Sequence, residues 1–129
     1  MSKRRLLLSA TIPLLVVTAA VAMLFRPVAF ARADLVGADP PVGATLATAP
    51  SMISLTFSDR VDVHLSTIVV VDDRNQRVEQ GAVEATGYGA KTLRIAVRPL
   101  TAGVYRVIWH AVSWDRSKTK GRYEFTIKP

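Results

Sequence analysis

From residue 34 onward, apolar and polar side chains alternate with a period of two, the spacing of a strand with one face buried. Ile53, Leu55 and Phe57 alternate with Ser54, Thr56 and Ser58. Leu93, Ile95 and Val97 alternate with Arg94, Ala96 and Arg98. Tyr105, Val107, Trp109 and Ala111 share one face of a longer strand whose other face carries Arg106 and His110. Tyr123, Phe125 and Ile127 form a last strand opposite Arg122, Glu124 and Lys128. Ile68, Val69, Val70 and Val71 are β-branched without interruption, which predicts a strand covered on both sides. Short strands near residues 35–38 and around 78–85 complete the set. Turn residues separate these runs: Asp39-Pro40-Pro41, Asp72-Asp73-Arg74-Asn75, Gly87-Tyr88-Gly89, Pro99, Gly103 and Gly121. No ten-residue segment carries a helical stripe. The pattern predicts an all-β fold, a seven-stranded Greek-key β-sandwich of immunoglobulin type with its two sheets ~10 Å apart.

The start of the chain breaks this pattern. Lys3-Arg4-Arg5 is followed by an uncharged, largely apolar run over residues 6–25, then by two overlapping small-residue patterns, Ala29-Phe30-Ala31 and Ala31-Arg32-Ala33. That order is the layout of a secretory signal. The apolar run is also long enough, ~30 Å at ~1.5 Å per residue, to serve as an uncleaved membrane anchor. Pro13, Pro27 and the paired A-x-A patterns favour cleavage. The expected organisation is a leader over residues 1–33 and an exported domain over residues 34–129. The domain then lies in the periplasm or cell envelope, and only an uncleaved leader brings it to the membrane.

Charge looks different once the leader is set apart. The 129 residues carry 17 Lys and Arg against 10 Asp and Glu, a net charge of +7, but five of the basic residues lie in the leader, which has no acidic one. The domain keeps a net +2, too small an excess to predict a nucleic-acid partner, which needs a clustered basic face. Arg116, Lys118, Lys120 and Arg122 fall close together near one loop and form a small anion-attracting patch. There is no cysteine, so neither a disulfide nor a thiolate metal site can form, and stability must come from the core.

Catalytic chemistry is not in evidence. Ser113 and Asp115 lie near His110, yet strand alternation puts neighbours on opposite faces. No G-x-S-x-G elbow, H-E-x-x-H pair or P-loop is present, so an enzyme is not expected. His64 and His110 read as surface residues, Trp109 as core, and Met52 as packing at a strand start.

Four blocks follow recognisable motifs. Residues 35–44, Leu-Val-Gly-Ala-Asp-Pro-Pro-Val-Gly-Ala, resemble L-x-x-S-x-P-x-x-G-A; residues 50–58 match P-x-x-I-x-L-x-F-S. Residues 100–109 are similar to L-x-x-G-x-Y-x-V-x-W, and Val112-Ser113-Trp114-Asp115 with Gly121 and Phe125 to V-S-x-D-G-H-x-x-x-G-x-x-x-F. The blocks keep their order across essentially the whole exported domain, and taken together they resemble the CopC family of exported copper-resistance β-sandwiches.

The resemblance implies Cu(II) held by a histidine at the mature N-terminus, its free amine, and the aspartate and histidine of D-G-H, nitrogen donors that suit tetragonal Cu(II). Here Asp34 follows Ala33, Asp115 is kept, and Arg116 and Ser117 replace the glycine and histidine. The metal ligands left to expect are therefore Asp34 and Asp115, with the amine of Asp34 if the leader is cut after Ala33. A methionine-rich Cu(I) site, which some family members have, cannot be built from Met52 alone. Asp115 also reads as the cap of its own turn. The resemblance further implies copper binding or transfer without catalysis, beside a polytopic membrane copper-transport partner. The alternative is a metal-free envelope module that meets an acidic partner through its basic patch.

Overall fold

Alternation decides which side chains of each strand turn inward. In β3 (Met52–Phe57), Ile53, Leu55 and Phe57 are buried, and in β6 (Thr92–Val97) so are Leu93, Ile95 and Val97. In β7 (Gly103–Val112), Tyr105, Val107, Trp109 and Ala111 point inward; in β8 (Lys118–Ile127), Thr119, Tyr123, Phe125 and Ile127 do. The computed structural model describes residues 32–129. The leader expected over residues 1–33, with its apolar run 6–25, lies outside the described residues except for Arg32 and Ala33. Among the described residues no helix is long and apolar enough to cross a membrane.

Two four-stranded sheets face each other. One has the order β1 (Leu35–Asp39), β3, β6, β5 (Glu79–Thr86); the other has β2 (Thr45–Leu46), β8, β7, β4 (Thr67–Val71). Among the described residues only β5–β6 and β7–β8 are hairpins, and every other connection crosses between the sheets. All pairings are antiparallel except that of β2 with β8. Between the sheets, Trp109 meets Phe57 edge-on, ring centroids 5.3 Å apart at 73°, and within one sheet Tyr105 of β7 stacks on Phe125 of β8 at 5.5 Å. The all-β sandwich expected from the alternation is the observed fold.

Four details depart from the expectation. The two-residue β2 makes the strand count eight among the described residues. The β-branched run 68–71 is an edge strand, with Ile68 and Val70 inward and Val69 half-buried on the outer face. The long strand β8 begins at Lys118 rather than near Tyr123, so Lys118, Lys120 and Arg122 alternate along a strand and are not gathered at a loop. Met52, expected as packing, points outward and is 37% exposed.

Across the sandwich, β5 and β4 are joined by one carboxylate. Glu79, its side chain 6% exposed, accepts from the Val70 N–H at 3.0 Å and pairs with Arg77. Burial alone would raise its pKa; the Val70 and Glu79 backbone N–H groups and Arg77 outweigh that and hold it below its ordinary value. The ladder of β5 against β6 slips between Gln80 and Glu84, where Gly81 takes φ 75°. Beside the core, the Tyr123 hydroxyl is buried with no hydrogen-bond partner among the described residues.

Candidate metal centre

Backbone hydrogen bonds gather four segments at one end of the sandwich. Ser58 N–H donates to Asp34 C=O at 2.8 Å, Val61 N–H to Ala90 C=O at 3.2 Å, Asp62 N–H to Val112 C=O at 2.8 Å, and Trp114 N–H to Arg60 C=O at 3.1 Å. The segment ahead of β1, the β3–β4 connection, the turn at Tyr88–Ala90 and the β7–β8 turn thus share one surface. Asp34 lies in the first segment and Asp115 in the last, so the fold brings both expected ligands to the same end.

The β7–β8 turn is tied by its own polar groups. Asp115 Oδ1 accepts from Ser113 Oγ, from Ser117 Oγ at 2.7 Å and from Ser117 N–H at 3.1 Å. These donors, Ser113 first and then Ser117, hold the Asp115 carboxyl below the usual carboxylate range. Arg116 sits at φ 73°, its N–H on the Ser113 C=O at 2.9 Å. Asp115 therefore caps its own turn, and Ser117, at the position of the expected histidine, gives its hydroxyl to the carboxylate. On the turn's outer side Trp114 is exposed, with the Arg60 guanidinium 4.4 Å above its ring.

The N-terminal segment is built in as firmly. Asp34 N–H donates to Ser58 Oγ at 2.9 Å, and its carboxylate pairs with Arg32 Nε at 3.0 Å in an exposed ion pair. Such a pair contributes about 0–1 kcal/mol. Ala33, assigned to the leader from sequence, is 1% exposed and belongs to the core. Its C=O accepts from the buried Thr119 Oγ1 at 2.6 Å.

A cupric ion prefers nitrogen donors in a tetragonal array. His64 is exposed in the β3–β4 connection, its N–H on Asp62 Oδ1 at 2.9 Å. His110 lies on the outer face of β7, opposite Thr67 and Lys120. Among the described residues, no three His, Cys, Asp or Glu side chains are grouped to hold a metal. The two expected ligands, Asp34 and Asp115, are carboxylates with other partners and do not fit a tight cupric site. Next to it runs a groove of about 460 Å³ whose lining includes Leu65, His110, Lys118 and Lys120.

Compared with known proteins, residues 35–128 match the family model described as the CopC domain. The chain belongs to the CopC family. Copper resistance protein C of Pseudomonas syringae pv. tomato is 36% identical over 115 residues, 84% of this chain and 90% of that protein. The crystal structure of CopC from Methylosinus trichosporium OB3b superposes with a TM-score of 0.71 at 26% identity, covering 76% of this chain and 95% of that one. The copper transport protein CutJ of Bacillus subtilis is 27% identical over 107 residues, which are 81% of this chain but 20% of that protein. A CopC-like domain thus also occurs as a minor part of a larger copper transporter.

Sequence reasoning named Asp34 and Asp115 and overlooked the groups that hold the segments around them. Ser113, Asp115 and Ser117 have the S-x-D-x-S spacing of a turn that satisfies its own carboxylate, a signal present in the sequence. Ser58 and Thr119 have no such local signal, because their partners lie 24 and 86 residues away.

Proposed function

We propose that this CopC-family chain is an exported copper-homeostasis protein of the periplasm or cell envelope. It binds and hands on copper without catalysis, as cargo held loosely rather than stored. The observation that carries this reading is the occupation of Asp115 by Ser113 and Ser117 on an otherwise complete family scaffold. With Asp34 and Asp115 as the remaining side-chain donors, Cu(II) meets oxygen where imidazole would grip it, and exchange is fast. Loose cargo suits delivery to a membrane transport protein, and the CopC-like portion of a copper transporter supports such a partner.

Titration of exported protein with Cu(II) against a competing chelator tests the reading. Micromolar binding that weakens further in Asp115→Ala is the expected result. Submicromolar binding, or a bound-copper spectrum showing imidazole nitrogen from His64 or His110, would refute it.

The basic outer face of β8 supports a second reading, a metal-free module. Lys118, Lys120 and Arg122 all point outward there and are exposed, and Glu124 is paired with Arg106 at 3.5 Å. An acidic envelope partner fits this face. Absence of any saturable copper binding, with unchanged copper tolerance on gene deletion, would favour it over the first.

A further inference from the structure

We infer that export processing cuts this chain between Ala31 and Arg32, so that the mature protein begins at Arg32 and not at Asp34. The inference rests on the export reading above and is independent of copper binding. By sequence alone the two A-x-A patterns are equivalent, one ending at Ala31 and the other at Ala33. The fold separates them. Ala33 is 1% exposed within the hydrophobic core. Its C=O is the acceptor for Thr119 Oγ1 at 2.6 Å, and Thr119 is itself buried. Arg32 C=O accepts from Ser58 Oγ at 2.9 Å and from Asp34 N–H at 3.2 Å, and its side chain pairs with Asp34.

A cut after Ala33 removes every one of these groups. Thr119 is left with a buried hydroxyl and no acceptor, the core loses a methyl group, and Ser58 Oγ loses its carbonyl. A cut after Ala31 leaves all of them in place and puts the new ammonium on Arg32, an exposed residue. The order of events does not matter. If folding comes first, Ala33 is buried and its carbonyl is held by Thr119; if cleavage comes first, only the product that keeps Ala33 completes the sandwich. In the reaction an export-linked peptidase adds water across the Ala31–Arg32 amide. The C–N bond breaks, the water oxygen ends in the Ala31 carboxylate, and the Arg32 amine takes the proton. A terminal amine offered to a metal is then that of Arg32, two residues before Asp34.

Expression of the full chain in a bacterial host, followed by intact-mass measurement of the exported protein, tests this directly. The expected species starts at Arg32. A species starting at Asp34 overturns the inference and leaves the export reading standing, whereas a retained leader on envelope protein overturns the inference together with cleavage. Protein found only in the cytoplasm overturns the export reading itself and the inference with it. Ala29→Asp spoils the first pattern and leaves the second intact. It should sharply lower the yield of folded, processed protein, and a product starting at Asp34 at wild-type yield would overturn the claim that the fold needs Ala33.

Discussion

Gly121→Ala should destabilise the domain, and the reason lies entirely in one ring. Gly121 faces Trp109 across the β7–β8 ladder, and its φ is outside the left-handed region, so alanine meets no backbone strain there. An added Cβ would lie 2.6 Å from Trp109 Cζ2, 2.9 Å from Cε2 and 3.1 Å from Nε1. Carbon atoms pack at about 3.5–4.0 Å, so the overlap is about 1 Å. The indole cannot swing aside without displacing the buried Phe57, whose ring it contacts at a centroid distance of 5.3 Å. Overpacking of this kind costs about 1–3 kcal/mol, and the lost freedom of an unfolded glycine returns about 0.4–1 kcal/mol. The net loss is about 1–2 kcal/mol, or a fall in Tm of roughly 5–15 °C for a domain this size. Urea and thermal unfolding followed by circular dichroism measure it. The same change in a Trp109→Phe background should be close to neutral, since the smaller ring vacates the space. Equal stability of Gly121→Ala and wild type, or an equal loss in both backgrounds, would refute the argument.

Two further substitutions probe buried polar groups. Tyr123→Phe should raise stability by about 1 kcal/mol in the same unfolding assay, because the hydroxyl is buried without a partner and its removal relieves desolvation; a loss of stability would show that an unseen partner exists. Glu79→Gln should cost about 1 kcal/mol at neutral pH, since amide replaces carboxylate against Arg77, whose exposed side chain limits the loss. The Glu79 pKa is lowered on folding from an ordinary 4.5, so its contribution is present above that value and disappears as pH falls through the folded one. The wild-type advantage over Glu79→Gln should therefore shrink below about pH 4. A difference independent of pH would disprove the charge-based account.

Strands whose inward positions are large and apolar were legible from alternation, as β3, β6 and most of β7 illustrate. The start of β8 was not, because its inward positions are Thr119, which serves as a hydrogen-bond donor, and Gly121, which makes room for a ring. β2 has two residues, and its pairing with β8 comes from tertiary packing, so no local pattern announces it. The run 68–71 was read as enclosed on both sides because β-branched residues also suit an edge whose outer face is half covered. At the candidate centre, the family motif pointed to Asp115, and the neighbouring serines were visible but unweighed. Ala33 was concealed by its own chemistry: a small residue that satisfies a processing pattern also fits a crowded core.

The slip in β5 and the reach of Glu79 to Val70 bear on how copies of this protein meet at high concentration. A sheet rim with a straight row of free amides and carbonyls invites another chain to add itself. Here the β4 rim is occupied by the protein's own chain, with Val78 N–H donating to the Val70 carbonyl and Glu79 covering the Val70 amide. The β5 rim is bent by Gly81, the β1 rim is broken between Leu35 and Gly37, and the β2 rim is two residues long. With no disulfide to hold it closed, the domain presents borders that offer a stranger nothing regular to align with.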